Sequence, residues 1–338
     1  MILPMRLIFT QLFFVLLVLV AGNASAQVDP HFSQYYVYPS WLNPALTGAF
    51  DGDYRISGIY RNQWNSVASP FQSPGISAEV RTNRNINFGG SILNQTAGDG
   101  GYNYLTAYAS AAYTGVQFGI EGNQKLVFAL QGGIVNRKFN PTKFTTGDQW
   151  NPVTGFNANS GSTDLPTKNS SLVFDAGAGL LYYDADPNKQ ANVYAGVSAS
   201  HLNQPEDAFS SGAKEKLPMR ITTHGGVRLA VSEVLTITPN FLYLRQGTAS
   251  EIMGGAYAQL KANAETDVML GANYRVKDAF SPFVGFNHRN MVLGVSYDIN
   301  TSDLGKMVRG TSSFEISISF ISSSANNSRR EHFICPRL

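Results

Sequence analysis

Residues 268–277, VMLGANYRVK, put Val268, Leu270, Ala272, Tyr274 and Val276 on one side of an extended chain and Gly271, Asn273, Arg275 and Lys277 on the other. Residues 291–298 repeat the pattern, with Met291, Leu293, Val295 and Tyr297 alternating with Gly294, Ser296 and Asp298. So do residues 314–320, with Phe314, Ile316, Ile318 and Phe320 against Glu315, Ser317 and Ser319. A period of two is that of a β-strand with unlike faces. An apolar face toward lipid and a polar face toward a lumen is what a transmembrane barrel strand needs. A half-buried strand of a secreted β-sandwich would alternate in the same way, so the number and spacing of strands must decide.

Working outward from these segments, alternation recurs near 54–64, 75–83, 86–95, 102–114, 125–139, 171–184, 190–201, 218–231, 233–245, 250–261, 265–277, 279–287, 290–299 and 312–321. That is about fourteen strands, an even number, most near the length a tilted membrane strand requires. The connections alternate too. Asp186–Lys189, Ser232-Glu233, Asn263-Ala264 and His288–Asn290 are short turns after even-numbered strands. The stretches 140–170, 202–217 and 300–311 are long and follow odd-numbered ones. The short link near Asp278 and the segment 115–124 stand as exceptions. The pattern predicts an all-β fold, a single outer-membrane β-barrel of antiparallel strands over 54–321 with both ends in the periplasm.

Composition agrees. Charged residues are only 14% of the 338, while 32 glycines, 16 tyrosines and 21 phenylalanines suit a barrel. Nowhere after the first 26 residues is there an apolar run of 18 or more, so a membrane-embedded chain must close its backbone hydrogen bonds as a barrel. Met1–Ala26 reads as a signal peptide, with Arg6, an apolar run from Leu12 to Ala21, and Ala24 and Ala26 before a cleavage at Gln27. Its removal leaves 24 basic side chains against 23 acidic, a near-neutral protein with no field aimed at nucleic acid. The single cysteine, Cys335, falls in a polar C-terminal tail over 322–338 and has no partner for an internal disulfide.

No constellation calls for catalysis, a cofactor or a metal. The histidines His31, His201, His224, His288 and His332 are scattered and lack metal-ligand spacing. His224 with Ser232, or His201 with Ser198, could imitate a nucleophile and base, but no Gly-x-Ser-x-Gly elbow accompanies them. Gly177-Ala178-Gly179 reads as close packing in a strand, and Asp51-Gly52-Asp53 as a turn before the first strand. Residues 27–53 hold an unusual density of aromatic residues. Phe32, Tyr35, Tyr36 and Trp41, with Tyr38, either tuck into the lumen as a plug or form a periplasmic docking surface.

Several short segments carry a family resemblance. The runs DPHFSQY at 29–35, LNPALTG at 42–48 and YRNQW at 60–64 are similar to the start of mature PorP/SprF proteins of the Bacteroidetes type IX secretion and gliding machinery. Further along, His201–Pro205, Leu217–Arg220 with His224–Gly226, Tyr274-Arg275 with Asp278–Phe280, Ser296–Asn300 and Phe314-Glu315 match in order and spacing. The ending Cys335-Pro336-Arg337-Leu338 departs from the family's aromatic last residue. The resemblance implies a barrel, set in outer-membrane lipid, that catalyses nothing. It implies partnership with a periplasmic ring lipoprotein and its associated proteins, and with a cognate secreted adhesin. A diffusion channel for small solutes is the other reading.

Overall fold

A computed structural model describes residues 29–322 except 65–69, 83, 99–100, 158, 164–167, 208–215, 303–304 and 306–311. The expected signal-peptide cleavage at Ala24, Ala26 and Gln27, and Cys335 with nearly all of the C-terminal tail, lie outside the described residues.

Fourteen strands close on themselves. They are β1 (Tyr54–Gln63), β2 (Phe71–Val80), β3 (Ile86–Ala97), β4 (Tyr102–Phe118), β5 (Gln124–Phe139), then β8 (Ser170–Asp184), β9 (Ala191–Ser200), β10 (Arg220–Ala230), β11 (Leu235–Gln246), β12 (Ala249–Asn263), β13 (Thr266–Arg275), β14 (Ala279–His288), β15 (Met291–Asn300) and β16 (Ser313–Ile321). The two-residue strands β6 (Trp150–Asn151) and β7 (Gly155–Phe156) pair with each other outside the barrel. Each barrel strand pairs antiparallel with its chain neighbour, and β1 pairs with β16, from Arg55 opposite Ile321 to Gln63 opposite Ser313. Closure leaves no free edge, which is the condition for crossing lipid with strands. Among the described residues no helix is long and apolar enough to cross a membrane.

Side-chain alternation fixes the two surfaces. Leu270, Val284, Val295, Ile316 and Ile318 are exposed at mid-barrel, as a lipid-facing band requires. Aromatic residues ring both ends of that band. Tyr54, Phe88, Tyr113, Phe286 and Phe320 lie toward one end, and Phe174, Tyr243, Tyr274, Phe280 and Tyr297 toward the other. The inner face is small and polar, with Ser57, Ser77, Ser91, Ser110, Ser198, Ser317 and Ser319 all buried.

Two departures from the sequence reading have physical causes. β2 begins at Phe71, before Pro74, instead of after it. A proline cannot donate to the ladder, and the β2–β3 pairing skips Ser73 and Pro74 while Pro74 still stands opposite Tyr60 on β1. Pro239 and Pro282 behave alike, each breaking the ladder on one side and keeping it on the other. The segment 115–124 is not a long connection: β4 and β5 run on to a turn at 119–123, with a register shift between Tyr113 and Val116. The long stretch 140–169 holds short 3-10 turns and the β6–β7 hairpin. The link at 276–278 does remain short. The long connections 140–169, 201–219 and 301–312 all leave one end of the barrel, here the long-loop end, and the chain enters β1 and leaves β16 at the opposite, short-turn end.

Candidate functional site

Residues 29–50 occupy the barrel interior. All are buried except His31, which is half-buried. Asp29 sits at the long-loop end, with its backbone N–H donating to Gln246 Oε1 at the top of β11. From there the segment descends through the lumen, and Gly48 and Phe50 reach Glu79 and Arg81 near the short-turn end, where β1 begins. The described start of the segment therefore lies at the long-loop mouth, opposite the short-turn mouth where the chain enters β1. The small inner wall and the bulky segment complement each other. Tyr36 meets Tyr257 and Phe283, and Phe32 and Tyr38 pack with Ile59, Leu93 and Tyr104.

Three polar anchors hold it. At the mouth, the Asp29 carboxylate accepts from Arg220 Nη1 at 2.9 Å, from Tyr104 at 2.7 Å, and lies 2.8 Å from His201 Nε2. The other ring nitrogen of His201 is 2.9 Å from Asp175. A ring with a carboxylate on each side donates from both nitrogens only when protonated. Burial works against that charge, but Asp29 and Asp175 outweigh it and raise the His201 pKa to about 9. Burial likewise opposes ionisation of Asp29, and His201 and Arg220 more than reverse it, holding its pKa below the usual carboxylate range. The Arg220 guanidinium also lies 4.2 Å over the Trp41 ring and donates to the Trp41 carbonyl.

A second anchor meets Ser33 and Gln34. Their backbone N–H groups donate to the two oxygens of Glu315, at 2.6 and 2.8 Å. Glu315 also binds Arg61, and Asp298 accepts from Arg61, Arg275 and the Ser33 hydroxyl. These carboxylates and guanidiniums are nearly inaccessible, so the pairs are matched in sign and hydrogen-bonded, as buried charges must be.

The third anchor is the Asn-Pro turn. The helix α1 (Pro39–Leu42) ends at Asn43, whose Oδ1 accepts from Ala45 N and caps a 3-10 turn over Pro44–Leu46. Pro44 needs no donor in that first position. The Asn43 Nδ2 donates to the Leu180 carbonyl and lies 3.2 Å from His224 Nε2. A Cβ on Gly179 would stand 2.0 Å from Asn43 Oδ1, so glycine at this wall position opens the gap that Asn43 enters. Below it, Thr47 meets Ser110, and Gly48 donates to Glu79, itself paired with Arg55. Gly48 has φ +76°, and a Cβ there would fall 2.4 Å from Asn87.

Phe32, Tyr35, Tyr36 and Trp41 all lie in the lumen. Neither imagined catalytic pair forms: His201 binds carboxylates, Ser198 donates to the Leu42 carbonyl, and Ser232 caps its own turn. Among the described residues no group of three potential ligands could hold a metal. What the sequence reading missed is convergence. Arg61, Arg275, Asp298 and Glu315 come from four separate short segments and meet around Ser33, while His201, Arg220 and His224 meet Asp29 and Asn43. Charged residues recurring at inward positions of separate strands were the available signal.

Solved barrels are similar in fold at low identity. The toluene transporter TbuX of Ralstonia pickettii is 12% identical with a TM-score of 0.46, covering 82% of this chain and 91% of that one. The monoaromatic hydrocarbon channel CymD is 11% identical with a TM-score of 0.49, over 85% and 93%. The toluene transporter TodX of Pseudomonas putida is 9% identical with a TM-score of 0.46, over 83% and 93%. No curated protein matches the chain. The model of the type IX secretion system membrane proteins PorP/SprF matches residues 24–320, which include the lumen segment and nearly all of the barrel. A closed barrel with a lipid-type exterior, matched over that length, makes this chain an outer-membrane member of the PorP/SprF family of type IX secretion system membrane proteins.

Proposed function

We propose that this barrel works by holding other proteins: it supports secretion or surface attachment of a cognate adhesin and contacts periplasmic ring proteins, without catalysing a reaction. The observation that carries this reading is the family match together with a lumen filled by residues 29–50, which buried charged side chains of the wall hold. A filled lumen suits a scaffold better than a pore for solutes, because its polar wall is occupied by the chain itself. On this reading the long-loop end faces outward. The β6–β7 hairpin there exposes Trp150, Val153 and Phe156, side chains that suit contact with a secreted protein. The short-turn end faces the periplasmic machinery.

The test is affinity capture of the tagged barrel from detergent-solubilised outer membranes after cross-linking in cells. Recovery of a large secreted adhesin and of ring lipoproteins is expected. Capture of neither, with steady solute conductance by the purified barrel, would replace this reading by that of a diffusion channel.

A further inference from the structure

The wall of the lumen reads the main chain of the segment inside it. Glu315 accepts from two successive backbone N–H groups, at Ser33 and Gln34. Asn273 donates to the Ser33 carbonyl, Arg220 to that of Trp41 and Ser198 to that of Leu42. Glu79 accepts from Gly48 N. Main-chain contacts of this kind supply affinity in peptide recognition, and pockets for particular side chains supply selectivity. Such pockets are present as the Arg220 face over Trp41 and the Gly179 gap for Asn43.

The barrel, for its part, does not use the segment to close. All fourteen strands complete their ladder with one another. The wall beneath the segment is rich in serine, a surface compatible with water. A bend at Asp51–Asp53, partly open to solvent, is the sole covalent link between segment and barrel.

We propose that the lumen is a peptide-binding site whose resident ligand is residues 29–50 of this chain. When the resident is displaced, the site takes a polypeptide segment of the same chemistry from another molecule. That chemistry is a carboxylate at the start, aromatic side chains next, then an Asn-Pro turn followed by glycine. The inference goes beyond the adhesin reading, since a barrel could hold an adhesin on its loops with its lumen permanently filled.

The experiment uses the full-length protein with a protease site inserted between Asp51 and Gly52, so that cleavage frees the segment after the barrel has folded. A fluorescent synthetic peptide of residues 27–51 is the probe. The nicked barrel should bind the probe, up to one per barrel, and release its own fragment; uncut protein should bind at least tenfold less. Probes carrying Asp29→Ala or Asn43→Lys should compete at least tenfold more weakly than the native peptide, and a scrambled peptide should not compete. The proposal is overturned if the nicked barrel stays folded and retains its fragment without taking up probe. It is equally overturned if nicking unfolds the barrel, because the segment is then part of the fold and not its ligand.

Discussion

Replacing Asp29 by Asn probes the anchor at the mouth with the smallest change of shape. The amide can still accept from Tyr104, but Arg220 and the protonated His201 lose their shared carboxylate in a site where these side chains are 1–3% exposed. Removing one partner of a buried charge pair costs about 3–5 kcal/mol. The anchors at Ser33, Asn43 and Gly48 are untouched, so the loss should fall on release of the first part of the segment. At about 1.4 kcal/mol per tenfold, the released population should rise by roughly 10²- to 4 × 10³-fold. In planar bilayers the wild-type protein should be closed, and Asp29→Asn should show frequent conducting events. The same anchor gives a pH dependence. The folded pKa of His201, about 9, lies above its ordinary 6.5, so its stabilisation is fully present below pH 6.5 and disappears as pH rises through about 9. Asp29 is shifted the other way from its ordinary 3.8, so its contribution is present above that pH and declines as pH falls. Wild-type openings should therefore be rarest between about pH 4 and 6.5 and should increase as pH rises from 6.5 to about 9, with a weaker alkaline step in Asp29→Asn. If Asp29→Asn stays silent across that range with an unchanged melting temperature, these contacts do not retain the segment and the reasoning fails.

Other perturbations separate wall, segment and loops. Leu270→Arg, at the exposed mid-barrel position, should cost about 2–4 kcal/mol and deplete heat-modifiable barrel from outer-membrane fractions. An empty lumen would tolerate Asn273→Arg, but Asn273 contacts Ser33, so this change should leave insertion intact and raise conductance. Gly179→Ala should lower stability by about 1–3 kcal/mol through its overlap with Asn43, and adding Asn43→Ala should recover part of the loss in thermal melts. Deleting residues 150–156 should change barrel stability by no more than about 0.5 kcal/mol, while surface display of the adhesin, measured by antibody labelling, should fall.

The barrel was legible because lipid imposes a binary choice at every second residue. Each of the fourteen alternating segments corresponds to a strand, Phe314–Phe320 without a single departure in alternation. Position along the strand was harder to read: Pro74 looks like a boundary in sequence, but the ladder can lose a donor on one side only. The inner face was legible only as polar. That Arg61, Arg275, Asp298 and Glu315 would pair depended on which strands close the barrel, since β1 and β16 meet only after every other strand is placed. Asn43-Pro44 announces a turn, yet nothing local to it indicates that Gly179 would leave room for its side chain. Direction was not legible either: a segment next to β1 gives no local sign that it starts at the long-loop mouth and crosses the whole lumen before β1 begins.

The most direct measurement of the central claim is the surface proteome of a strain lacking this gene, compared with the same strain carrying the gene again. One cognate type IX adhesin should disappear from the surface, other type IX cargo and small-solute uptake should be unchanged, and restoring the gene should bring the adhesin back. A surface proteome identical to the parent's, with slower uptake of a small solute, would contradict that claim.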